Sequence, residues 1–226
     1  ILESTVHPGT TEDIVKPILE ESGLKDGIDF YLSHCPERID PGNEQWTIKN
    51  IPRVIGSTSE KGKELSKEFY SSILESDILV LSGAKEAEAT KIMENSFRDI
   101  NIAFINEMAK SFDKANIDIM EVIKGASSKP FAFMPHIPGC GVGGHCIPVD
   151  PYYLIEKARQ IGFDHQFLSL ARKINESMPT YTVHILTEEL NKIGKALNGS
   201  KIGLYGISYK KNIGDIRESP SLKIIK

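Results

Sequence analysis

The chain has 226 residues, 40% of them hydrophobic and 26% charged, with a formal net charge of −4. This is an ordinary globular composition, with no basic footprint for nucleic acid, no apolar run near the roughly 20 residues of a membrane span, and no opening that reads as a signal peptide. Three cysteines, an odd number in a chain of this size, argue for a reducing compartment, the cytoplasm, and against a disulfide scaffold.

Ile1 to Val6 reads as a strand that begins without a preceding turn, as though the text starts inside a fold. His7-Pro8-Gly9 ends it. Thr10 and Thr11 are N-cap candidates for a helix with the apolar stripe Ile14, Val15, Ile18 and Leu19, closing at Gly23. Further strands are expected around Phe30 to Leu32, at Pro52 to Gly56 and at Ile78 to Leu81, with a charged amphipathic helix from Ser59 to Glu75. The alternation predicts a mostly parallel sheet, part of a dinucleotide-binding domain. The G-x-G-x-x-G turn that would hold a pyrophosphate follows no strand in this sequence.

From Ala84 to about Asn116 there is neither glycine nor proline, and Met93, Phe97, Ile100, Phe104 and Met108 recur at spacings of four and three. One helix on the order of 45 Å long is expected, at 1.5 Å per residue. Periodicity alone leaves open whether it is buried within one chain or against another. Lys91, Asn95 and Arg98 share a face of this helix, as a solvated stripe would.

His136 to Tyr153 is the most distinctive stretch. Gly139, Gly141, Gly143 and Gly144 remove side chains from four nearby positions, so that the backbone turns tightly and approaches a ligand closely. The segment then delivers Cys146. Asp150-Pro151 reads as an N-cap with proline at the first helical position, which puts the thiol just ahead of a helix N-terminus, where thiolate is favoured. Two other readings stand beside a reactive thiol: a small buried hydrophobe, and a zinc site with Cys140, His145, Cys146 and His136, whose spacing does not match C-x-x-C pairs. Helices are expected at about Pro151 to Gln160, His165 to Ser177 and Tyr181 to Leu197. After the hinge Asn198-Gly199, Lys201 to Gly206 reads as a new strand, and Ser219 caps a helix that starts at Pro220.

The run P-G-x-G-x-G-G-H-C-x-P-x-D-P resembles the active-site loop of the nucleotide-sugar 6-dehydrogenases, the UDP-glucose/GDP-mannose dehydrogenase superfamily. His145 and Pro151-Tyr152-Tyr153 resemble its UDP-N-acetylmannosamine branch most. Ser4 to Thr10, Glu86 to Asn95, Ala171 to Pro179 and Tyr209 to Pro220 are similar to four further family segments. The resemblance implies an α/β protein with an all-helical central domain, and an internal fragment of a longer enzyme. Its parts are the end of an N-terminal Rossmann-like NAD-binding domain (1–83), a long dimerisation helix with a helical domain (84–197), and the start of a C-terminal Rossmann-like UDP-sugar domain (198–226).

The resemblance also implies the chemistry: oxidation of the C6 alcohol of a UDP-sugar to a carboxylate, with two NAD reduced per sugar, in a homodimer joined through the long helix. Cys146 captures the aldehyde as a thiohemiacetal and passes through a thioester. Asp150 and Lys91 hold a water that takes the alcohol proton, and Lys91 and Asn95 stabilise the developing alkoxide. Glu37 assists hydrolysis, and Thr5 orients the water. Cofactor contacts are implied at Thr5, Glu37, Gly143 and Arg217. Substrate contacts are implied at Glu37, Arg38, Lys91, Asn95, Arg98, Phe131, Pro138, Gly139, Gly143 and Lys210, the loop from Lys129 to Gly139 closing over the sugar nucleotide. Surface salt bridges account equally well for Arg98 and Arg172. No metal is expected. Pro41 stands where the UDP-glucose branch has a second carboxylate, and Cys140 opens the possibility of a disulfide with Cys146.

Overall fold

The five residues Arg53–Ser57 are buried at every position. In a computed structural model, which describes residues 1–226, they form the middle strand β2 of a three-stranded sheet. β1 (Ser33–His34) lies on one side and β3 (Ile78–Val80) on the other. Val54 stands opposite Leu79 in parallel register, whereas Ser33 stands opposite Ser57 in an antiparallel one. The expected mostly parallel sheet is therefore mixed, although Leu2 adds a parallel bridge to His34.

Helix α2 (Glu60–Ile73) begins at Ser59, whose hydroxyl accepts the Gly62 N–H. It packs on the sheet and contributes Tyr70 to a core with Cys35 and Ile55, flanked by Leu74 and Ile78. The Tyr70 hydroxyl donates to Glu3 at 2.5 Å, so this aromatic buries its ring and keeps a polar partner.

Two expected strands shrink. Between Ile1 and Val6 only Leu2 makes a bridge, and the second strand falls at Ser33–His34 rather than Phe30 to Leu32. The cause is register: Phe30 bridges Asp26 locally, and the Leu2 N–H reaches the Ser33 carbonyl. The first helix also begins differently from expectation. A π turn (Thr11–Val15) precedes α1 (Lys16–Glu20), and neither threonine caps it. The Thr10 hydroxyl donates back to His7. Glu88, fully buried on helix α3 (Ala84–Lys114), instead accepts the Gly9 N–H at 2.6 Å, the Thr11 N–H at 2.7 Å and the Thr11 hydroxyl at 2.6 Å. A carboxylate is the charge that a helix N-terminus favours.

The chain divides into two units, one of Ile1–Asn95 with Tyr152–Asp164, the other of Ser96–Pro151 with His165–Lys226. The second is helical. It holds the later part of α3, α4 (Ile119–Ser127, capped by Asp118), the start of α5 (Asp150–Gln160), α6 (Gln166–Lys192) and α7 (Pro220–Ile225), which packs on α6.

α6 replaces the two helices expected on either side of Met178-Pro179. Pro179 lacks an N–H and so forfeits one helical bond, but Asn175, Met178 and Pro179 are all buried, and that packing keeps the helix continuous. The strand expected from Lys201 to Gly206 is not formed: Ile202, Leu204 and Tyr205 are exposed, and no neighbouring strand completes a ladder. No helix is long and apolar enough to cross a membrane.

Candidate active site

Cys146 is exposed, and its carbonyl accepts the N–H groups of Val149 at 3.0 Å and Asp150 at 2.8 Å. The thiol thus heads the turn that runs directly into α5, at the helix end whose unpaired N–H groups favour an anion. His145 Nδ1 lies 3.9 Å from Cys146 Sγ. Asp150 is buried. Cys140 is exposed, and neither it nor Cys35 nor Cys146 is in a disulfide. No group of three metal-ligating side chains occurs.

Gly143 and Gly144, just before the thiol, make room for the chain itself. A Cβ on Gly143 would lie 2.5 Å from Tyr209 Cβ and 2.9 Å from Pro220, and one on Gly144 would lie 2.9 Å from the Tyr209 ring. Gly144 also has φ +92° and donates its N–H to the Arg217 carbonyl at 3.0 Å. Segment 209–220 therefore lies against Gly143 and Gly144, whereas a Cβ on Gly139 would meet nothing within 4 Å.

The start of the loop is tied down by a buried polar chain. Asn106 on α3 accepts the Gly139 N–H at 2.9 Å and donates to Asn175 on α6 at 2.9 Å. Asn175 donates to the Asp99 carboxylate and carbonyl, and Arg172 donates to the same carboxylate at 2.6 Å. Burial pushes the Asp99 carboxyl up, against the pull of Arg172 and Asn175. Arg172 is 4% exposed, so the surface salt bridge considered for it is a buried one.

In segment 209–217 the Asp215 carboxylate takes three bonds from the Arg217 guanidinium and one from its backbone N–H, which hold its pKa down to about 2. Lys210 lines an open cleft of about 510 Å³ with Tyr209 and Lys211. Arg98, Phe131 and Gly139 are exposed, and Pro138 is half-buried.

The first unit holds the other expected residues. Glu37 accepts the Arg38 and Ile39 N–H groups at 2.6 and 2.8 Å and the guanidinium of buried Arg53 at 3.1 Å. Arg38 pairs with Glu94 at 2.6 Å and donates to the Pro52 carbonyl. Lys91 and Asn95 are half-buried on α3, one turn apart. Thr5 follows Leu2, and Glu37 follows β1; the Glu37 N–H donates to the Glu3 carbonyl, so both residues lie just past the carboxyl ends of neighbouring parallel segments. Sequence reasoning missed Arg53, Asp99 and Asn106. An arginine inside an apolar strand run was a signal for the first; nothing in the helical pattern marks the other two.

The family model described as the UDP-glucose/GDP-mannose dehydrogenase family, NAD binding domain, matches residues 1–74, and that for the family's central domain matches residues 85–177. The chain belongs to this family. The UDP-N-acetyl-D-mannosamine dehydrogenase of Pyrococcus horikoshii is 39% identical over the whole chain, which covers 53% of that protein. The UDP-N-acetyl-D-glucosamine 6-dehydrogenase of Pseudomonas aeruginosa is also 39% identical, with the same coverage. The solved structure of the UDP-D-ManNAc dehydrogenase from P. horikoshii superposes with a TM-score of 0.92 at 40% identity, over 99% of this chain and 52% of that one. The chain spans about half the length of the curated relatives it matches.

NAD is the cofactor of the family's NAD binding domain, and the residues present fit one end of it. Ligands of open α/β sheets bind past the carboxyl ends of the strands. Thr5 and Glu37 there offer a hydroxyl and a carboxylate, groups that can donate to and accept from an amide or a ribose hydroxyl.

Proposed function

We propose that this chain is part of an NAD-dependent UDP-sugar 6-dehydrogenase that oxidises UDP-N-acetyl-D-mannosamine at C6 to the carboxylate. The observation that carries this reading is the exposed Cys146 at the head of α5, in a chain whose segments match both the NAD binding and the central domain of the family. The relative from P. horikoshii supports the mannosamine substrate. The P. aeruginosa relative favours a second reading, UDP-N-acetylglucosamine, at equal identity. A substrate panel separates the two epimers.

NAD, when bound, accepts the hydride in each of the two oxidations. Thr5 and Glu37 hold its nicotinamide end, with Gly143 and Arg217 as further contacts. Asp150 receives the alcohol proton through a water, and Lys91 and Asn95 stabilise the alkoxide. The Cys146 thiolate adds to the C6 aldehyde and keeps it bound as a thiohemiacetal, then as a thioester. Glu37 assists the hydrolysis that releases the acid. Arg38, Arg98, Lys210 and the loop bearing Phe131, Pro138 and Gly139 contact the UDP-sugar. Residues 1–83, 84–197 and 198–226 belong to the cofactor, central and sugar-nucleotide domains, and the enzyme works in the cytoplasm as a homodimer.

In Cys146→Ala, calorimetry should show sugar-nucleotide binding retained while acid formation is lost. Unchanged acid formation would refute the role of the thiol, and a binding module without chemistry would form no acid in either protein.

A further inference from the structure

His145, which has no part in the proposed roles, stands beside the thiol. His145 Nδ1 stands 3.9 Å from Cys146 Sγ, within reach of a sulfur hydrogen bond. The Asp215 carboxylate, which Arg217 holds ionised, is near enough for a His145 charge to act on it. The loop that carries both residues is pinned next to them, where Gly144 donates to the Arg217 carbonyl and packs on Tyr209.

A nucleophile within hydrogen-bond reach of a base is the arrangement that activates a thiol. We propose that His145 is the proton acceptor for the Cys146 thiol, with the Asp215 charge favouring the imidazolium that results. The inference deepens the dehydrogenase reading and rests on it for the identity of the electrophile.

With its proton on Nε2, the ring takes the thiol proton at Nδ1 as the S–H bond breaks. The sulfur lone pair then forms the S–C bond to the aldehyde carbon, and the carbonyl π pair moves to oxygen. That oxygen takes the proton back from Nδ1, so the neutral imidazole is restored and nothing is oxidised or reduced. The charged and titratable groups around the pair are Asp215, Arg217 and Tyr209 from segment 209–217 and Asp150 at the head of α5. Arg217, whose charge is felt at Cys146, favours the thiolate, as does the helix end.

Alkylation of Cys146 by iodoacetamide tests this without any turnover. It is read in a Cys140→Ser background, in which the remaining Cys35 is fully buried. His145→Gln and His145→Ala should each slow the reaction at about pH 7 by about tenfold, with no change at about pH 10, where the thiol ionises unaided. Rates within twofold of the parent at pH 7 would overturn the proposal. An equal fall at both pH values would also overturn it, because lost access rather than lost proton transfer would be the cause. If the His145 variants slow as expected but no UDP-sugar is oxidised by the full-length enzyme, the dehydrogenase reading fails while the proton acceptor stands.

Discussion

Asn106 and Asn175 face one another across α3 and α6, with Asn106 Nδ2 donating to Asn175 Oδ1 at 2.9 Å and both side chains buried. Through this pair the loop that presents the thiol is fixed at Gly139 to the same cluster that holds Arg172 and Asp99.

Asn106→Ala removes a donor and an acceptor at once, leaving the Gly139 N–H and Asn175 Oδ1 without these bonds. A loss of about 1–3 kcal/mol is expected, since a buried polar group left unsatisfied costs about that much. Urea unfolding measures it. A change below about 0.5 kcal/mol, typical of a surface position, would show that the pair carries no stability.

Gly143 and Gly144 should respond differently to the same partner. An alanine at either destabilises the loop, because each Cβ meets Tyr209. Adding Tyr209→Ala removes the ring that faces Gly144 but leaves the Cβ that faces Gly143. A double-mutant cycle should therefore show partial rescue for Gly144→Ala, limited by its φ of +92°, and almost none for Gly143→Ala. Equal rescue at both would contradict the packing.

His34 is fully buried with neither ring nitrogen hydrogen-bonded, and burial pushes its pKa down to about 4 from 6.5. The folded form holds the neutral ring while the unfolded chain binds a proton below 6.5. Stability from this group is thus complete above about pH 6.5 and is lost as the pH falls towards 4, by about 3 kcal/mol in total. His34→Phe should flatten that part of the stability profile, as read by denaturant midpoints between pH 4 and 7. An unchanged slope would assign the acid sensitivity to other groups.

Met93, Phe97 and Phe104 are 70%, 48% and 52% exposed along one helix. If α3 joins two copies, Phe97→Glu should convert a dimer to a monomer in light scattering, since a desolvated carboxylate without a partner opposes association. A dimer that survives would place the interface elsewhere.

The sequence made the helices legible wherever punctuation was strong. Ser59 and Pro220 mark starts, and the stretch without glycine or proline marks α3 almost to the residue. Pro179 misled because local sequence cannot report the burial that overrides a helix breaker. The expected strand at Lys201 to Gly206 failed for a related reason: a strand exists only with a neighbour, and β-propensity carries no information about the neighbour. At the candidate site, the motif itself placed Cys146 just ahead of a helix start at Asp150, where the structure has them. What surrounds them was not legible, because Asn106, Arg172 and Tyr209 act through contacts 33 or more positions away in the chain. Gly143 and Gly144 show the difference most clearly: glycine spacing announced a close approach, and only the fold shows how near Tyr209 lies to both.

The most direct test of the whole account is the yield of NADH per UDP-N-acetyl-D-mannosamine in the full-length enzyme that carries this chain. The account predicts two NADH per sugar, with product formation abolished in Cys146→Ala. No NADH from this sugar, from UDP-N-acetylglucosamine or from UDP-glucose, or two NADH formed equally well without the thiol, would contradict it.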